Sequence, residues 1–127
     1  MIAVDTSAFM ALLLAEPEAD RIAALLETES QIIISAGTLA EALIVAARRG
    51  VEAELKLLLD GLGIEVDAMG EAGARAVAEA YAAWGKGLHP ASLNLGDCFA
   101  YMTAMKHDVP LLYVGDDFAK TDVAKLL

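Results

Sequence analysis

The sequence predicts an α/β domain built on a central, mainly parallel sheet of four to five strands flanked by helices. Three observations lead there. Short apolar runs alternate along the chain with longer stretches of helical spacing. The clearest of those runs, Ile32-Ile33-Ile34, is β-branched throughout, as suits a strand buried on both faces. No linker, repeat or low-complexity tract divides the 127 residues, so a single domain, 1–127, is expected.

Ile2 to Val4 reads as the first strand, ended by Asp5-Thr6-Ser7. Helical spacing follows from Ala8 to Leu14 and from about Pro17 to Glu27, with Pro17 suited to a first turn. After the strand at Ile32–Ile34, a helix from about Thr38 to Arg49 is closed by Gly50, and another from about Val51 to Leu62 by Gly63. Ile64-Glu65-Val66 alternates, which predicts a half-exposed strand near a sheet edge. Gly73, Val77, Ala80, Tyr81 and Trp84 share one helical face between Ala72 and Trp84. Gly85 to Leu93 is a loop, Leu95 to Lys106 a helix, and Leu111 to Val114 a final central strand that Gly115 stops just before Asp116 and Asp117.

Hydrophobic residues make up 57% of the chain, above the roughly 45–50% of an average soluble domain. A short chain has limited interior, so some of this surplus is expected at an interface between copies. No apolar run approaches the ~18 residues that span a bilayer, no signal peptide is read at the start, and Cys98 is the sole cysteine. A cytoplasmic protein without disulfides, cysteine-based zinc or membrane contact is expected. The net charge of −10 excludes a protein that holds nucleic acid by bulk charge. Action on nucleic acid would require bound cations to neutralise the site.

Most of the carboxylates sit on polar helix faces. A few do not. Asp5 follows a buried strand at the sheet edge where α/β domains bind ligands, although it also suits a helix cap. Glu41 interrupts an apolar stretch from Leu39 to Ala47, which reads as a helix buried nearly all round. Asp97 is the lone charge between Leu95 and Ala104, in a first turn that Asn94 can cap. Asp116 and Asp117 follow the last strand; one is expected to face the site and the other to cap a turn. Acids clustered this way repel, and oxygen ligands without His or Cys favour Mg²⁺ or Mn²⁺ as the neutralising ion.

Asp5-Thr6-Ser7 after the first strand, Glu41 in the third helix, Asn94-Leu95-Gly96-Asp97-Cys98, and Gly115-Asp116-Asp117-Phe118 with Thr121-Asp122 together resemble a PIN domain. More closely, the ordered set resembles the VapC ribonuclease toxins of bacterial type II toxin–antitoxin systems. The resemblance implies that Asp5, Glu41 and Asp97 bind Mg²⁺, with Mn²⁺ able to substitute, and are required for RNA cleavage. It implies a fourth acid after the last strand, Asp116 or Asp117, with Asp117 placed among the metal ligands. Ser7 matches a residue that supports the first Asp, and Asn94 is the second supporting residue. Also implied are hydrolysis by metal-activated water, products with 5′-phosphate and 3′-hydroxyl ends, a homodimer, and neutralisation by a VapB-type antitoxin. No DNA binding by this chain alone is expected. The alternative is a catalytically inactive PIN-like module that binds RNA or protein.

Other chemistries fit less well. A haloacid-dehalogenase-type phosphatase needs a second Asp two residues after Asp5, where Ser7 stands. The glycines around Lys86 form no phosphate-binding loop, since no Ser or Thr follows that lysine. His89 reads as an exposed loop residue, with RNA contact beside Lys86 as the functional alternative; His107 reads as serving only its helix dipole. Cys98 reads as a small buried residue.

Overall fold

The computed structural model describes residues 1–127. The chain runs β1 (Ile2–Val4), α1 (Thr6–Leu13), α2 (Ala19–Thr28), β2 (Ile32–Ser35), α3 (Ala36–Arg48), α4 (Glu52–Leu62), β3 (Glu65–Asp67), α5 (Gly70–Trp84), α6 (Leu95–His107) and β4 (Leu111–Leu112). A 3₁₀ turn at Phe118–Lys120 follows. The four strands form one sheet in the order β3-β2-β1-β4, and every pairing is parallel. Parallel neighbours need crossover connections, and the helices supply them on both faces.

The strands' period of two divides the interior into two cores. Ile2, Val4, Ile32, Ile34 and Leu112 face one side, against Phe9, Ile22, Leu26, Ala42, Ala46 and Leu55 of the first four helices. Ala3, Ile33, Leu111 and Tyr113 face the other, against Val77, Ala80, Cys98, Ala100, Met102 and Ala104 of α5 and α6. Both faces of β1 and β2 are therefore dry, which is why their sequences carry no polar alternation.

The structure adjusts several sequence expectations. The last strand is not central: β4 lies at an edge and pairs as a strand over two residues only. That edge is covered by the chain's own end, through a bridge between Leu111 and Lys125. β3 is the opposite edge, as the alternating Ile64-Glu65-Val66 suggested. Pro17 lies outside α2, which begins at Ala19. Helix α3 is not buried all round: Thr38, Ala42 and Ala46 form its dry face, while Ile44 is 55% exposed. Small residues and a long apolar one on the same helix look alike in composition, and only packing separates the faces. Gly50 and Gly63 do end α3 and α4, both in the left-handed region at φ +74° and +59°.

His107 serves more than a dipole. Its Nε2 lies 3.0 Å from Asp67 Oδ2, and Lys106 donates to the same carboxylate at 3.1 Å, tying the end of α6 to the edge strand β3. Burial alone would raise the Asp67 pKa; the bonds from His107 and Lys106 and their charges hold it below the ordinary value instead. His89 is half-buried rather than exposed. Its Nδ1 accepts from the Ala91 N–H at 2.9 Å, and its ring meets Trp84 edge-on at 4.8 Å.

Candidate functional site

Asp5 ends β1 and caps α1 at once. Its backbone is extended, and its Oδ2 accepts the Ser7 N–H at 3.0 Å, the usual duty of an Asp at a helix N-terminus. Its other oxygen, Oδ1, is buried and has no hydrogen-bond partner. With 4% of its surface exposed, this side chain carries an acceptor that nothing in the protein satisfies. Burial, and to a smaller degree the charges of Asp97 and Glu41, outweigh the bonds from Ser7 and push its pKa up to about 7.

Glu41 comes to the same place from α3. Thr6, directly after Asp5, donates its hydroxyl to Glu41 Oε1 at 2.7 Å. Gly96 makes room on the other side, because a Cβ there would run into the Glu41 carboxylate. Gly37 does the reverse for α6: a Cβ on it would fall 2.6 Å from the Phe99 ring. The two helices approach closely at this point because each presents a glycine to the other's side chain.

Asp97 sits in the first turn of α6 in a reciprocal capping box with Asn94. The Asn94 side chain accepts the Asp97 N–H at 2.8 Å, and Asp97 Oδ2 accepts the Asn94 N–H at 3.0 Å. Asp97 is thus both a cap and a member of the acidic group. Burial first, then the charges of Asp117 and Glu41, raise its pKa to about 6 against the lowering effect of the Asn94 N–H.

The segment after β4 distinguishes its two acids. The charge of Asp117 falls on Asp97, whereas that of Asp116 falls on the Tyr113 hydroxyl. Asp117 is thus near enough to Asp97 for its charge to act there, while Asp116 acts on Tyr113. Ser7 acts here too, since its Oγ accepts the Val114 N–H at 3.0 Å and pins the start of this segment to the first turn of α1.

No lysine or arginine forms an ion pair with these acids; those that pair do so elsewhere, at Glu52, Glu71 and Asp67. No three of the acids stand close enough to enclose an ion between them. Oxygen ligands at that spacing can hold a hard divalent cation through one or two carboxylates, with water completing its shell. The partnerless Asp5 Oδ1 and the raised pKa values of Asp5 and Asp97 are the marks of a site that lacks positive charge.

The model of the PIN domain family matches residues 2–124. The chain belongs to the PIN-domain family. Within it, the chain is 40% identical over 124 residues to ribonuclease VapC30 of Mycobacterium tuberculosis, a match that spans 95% of both proteins. It is 43% identical to ribonuclease VapC36 of the same organism, over 94% of this chain and 89% of that one. Among solved structures it superposes on M. tuberculosis VapC20, described as a toxin that cleaves the sarcin–ricin loop, with a TM-score of 0.81 over 99% of this chain and 98% of that one. The identity there is 14%, so this likeness speaks for the PIN fold.

Two contributors to this PIN domain's acidic group escaped sequence reading. Thr6 stands in the sequence only as part of the turn that ends the first strand, and nothing in its spacing points across to Glu41. Gly96 carried a readable signal: a glycine in the first turn of a helix, next to its lone acid, marks a close approach.

Proposed function

We propose that this protein is a Mg²⁺-dependent endoribonuclease, the toxin of a VapBC-type module. The observation that carries the reading is the partnerless Oδ1 of Asp5, buried within reach of the charges of Glu41 and Asp97 at the C-terminal edge of a parallel sheet. Identity of about 40% to proteins named VapC ribonucleases supports the same conclusion.

Asp5, Glu41, Asp97 and Asp117 would supply the carboxylates, one or two binding the ion directly and the others acting through its water shell, with Mn²⁺ able to take its place. When bound, it supplies Lewis acidity and the positive charge that a phosphodiester needs beside this protein. The chain's own residues do the positioning. Ser7 holds Asp5 through its N–H, Thr6 holds Glu41 through its hydroxyl, and Asn94 holds Asp97 through the capping box. Each leaves one carboxylate oxygen free of that bond and presented by a rigid strand end or helix. The net charge of −10 repels RNA until the site is neutralised, which makes cleavage conditional on the metal. No histidine stands among the four acids to serve as an alternative base; the two in the chain are held by Asp67 and by the Ala91 N–H.

The same anionic group would accept an Arg or Lys from a VapB-type antitoxin, blocking metal and substrate together. The apolar surplus fits a homodimer, and the setting is the bacterial cytoplasm. No helix is long and apolar enough to cross a membrane.

The deciding experiment incubates purified protein with structured RNA and Mg²⁺ or Mn²⁺. Cleavage is expected from the wild type, with a loss of at least about a hundredfold in Asp5→Asn and Asp97→Asn. Equal cleavage by all three proteins would overturn the assignment.

A further inference from the structure

A chain of hydrogen bonds runs beside the acidic group and reaches none of its members. Trp84, at the end of α5, donates its indole N–H to the Tyr101 hydroxyl at 3.1 Å. Tyr101 in turn donates to Asp122 Oδ1 at 2.6 Å. The direction is fixed by chemistry: an indole nitrogen can only donate and a carboxylate can only accept, so the phenol must pass its proton toward Asp122. Burial first, then the bond to Asp122, keep this phenol protonated, up to about 12.

We infer that Tyr101 and Asp122 are positioning residues that set the distance between Asp97 and Asp117. Tyr101 lies one helical turn beyond Asp97 on α6, so the two side chains share one rigid frame. Asp122 lies in the segment that carries Asp117. That segment is fastened at its entrance by Val114 N–H to Ser7 and at its exit by Leu111 N–H to the Ala124 carbonyl. Between those points Phe118 is buried against Tyr113, and Thr121 closes the 3₁₀ turn onto the Phe118 carbonyl at 2.7 Å. Apart from a long Lys120–Pro90 contact at 3.5 Å, Tyr101 makes the only side-chain hydrogen bond from the rest of the protein to residues 115–123. The charge of Asp117 acts on Asp97, and the Tyr101–Asp122 bond holds the segment in place against that repulsion. Trp84 stabilises the tether by using the phenol's acceptor side, and His89 closes over Trp84 from the following loop.

The inference rests on the proposed metal-dependent reading, so its test measures metal binding as well as cleavage. Mn²⁺ alone is titrated into Tyr101→Phe, Asp122→Ala and Asp122→Asn, each also in an Asp117→Asn background. Tyr101→Phe keeps the ring and its packing, and Asp122→Asn keeps an acceptor for the phenol. Tyr101→Phe and Asp122→Ala are expected to weaken Mn²⁺ binding about tenfold, the lower end for groups that orient metal ligands. They should lower kcat for RNA with little change in KM, whereas Asp122→Asn stays near wild type. In the Asp117→Asn background the same changes should cost nothing further, because the residue they position is gone. The single tryptophan, Trp84, reports through its fluorescence that the bond to Tyr101 has been broken. Unchanged Mn²⁺ affinity in Tyr101→Phe, or an equal loss with and without Asp117, overturns the positioning role while leaving the nuclease reading in place. Failure of the wild type to bind Mn²⁺ overturns both.

Discussion

Replacing Asp5 with asparagine should abolish cleavage and at the same time stabilise the metal-free protein. An unfolded Asp5 ionises near 3.8, but in the folded protein its pKa is about 7. Between those pH values the folded state keeps a proton that the unfolded state has lost, so stability falls as pH rises through the window and stays lower above it. At about 1.4 kcal/mol per pH unit, ionising Asp5 costs the folded protein roughly 4 kcal/mol at pH 8. Asparagine avoids that cost and keeps an oxygen for the Ser7 N–H. Its amide N–H groups enter the place of Oδ1 without a ready partner, which takes back about 1–2 kcal/mol. The net expectation is a gain of about 2 kcal/mol, or an unfolding midpoint higher by about 8 °C for a chain of this size. Calorimetry in EDTA at pH 8 and pH 5 measures it. At pH 5 the folded carboxyl is protonated while the unfolded one, about one unit above its pKa of 3.8, is ionised, so only about 2 kcal/mol of the cost remains. The unpartnered amide offsets it, and the advantage should disappear. Adding Mg²⁺ at pH 8 should raise the wild-type midpoint and leave that of Asp5→Asn where it was. A variant no more stable than wild type at pH 8 in EDTA, or an advantage equal at both pH values, would refute the reasoning.

Three further expectations concern the remaining parts of the site. Asp117→Asn should lower the cleavage rate at least about a hundredfold and Asp116→Asn less than about threefold, because only Asp117 acts on Asp97; kcat/KM on a fixed RNA compares them. Gly96→Ala should cost about 1–3 kcal/mol in denaturant unfolding and nearly all activity, since the new methyl group takes the space of the Glu41 carboxylate. Thr6→Val removes the 2.7 Å bond to Glu41 without changing shape, and should lower kcat about tenfold with a stability loss near 1 kcal/mol.

Much of the fold was legible because burial on two faces leaves a plain trace. The unbroken Ile32-Ile33-Ile34 named β2, and the alternation at residues 64–66 placed β3 at an edge. Leu111–Val114 looked like another central strand for the same reason, and here the trace misled. Those residues are apolar because the helices bury them on both faces, while the edge itself is covered by the chain's own end and not by a further strand of the sheet. Glu41 stands out in the sequence as a charge on a helix apolar nearly all round, which is only half right. Its helix is dry on one side only, and the residue matters because it turns toward Thr6 and Gly96.

From its sequence alone, this protein can be read as an α/β chain carrying four or five acids that an ordinary solvated surface does not explain. A lone charge in an apolar run is a local fact, since the cost of burying it depends on the residues beside it in the chain. Which acid answers which is a matter of distances across elements far apart in sequence. Only the folded arrangement separates Asp117 from its neighbour Asp116, leaves Asp5 Oδ1 without a partner, and ties Asp122 to Tyr101. Electrostatic repulsion and hydrogen bonds act over a few ångströms of space, and no spacing along the chain encodes those ångströms directly.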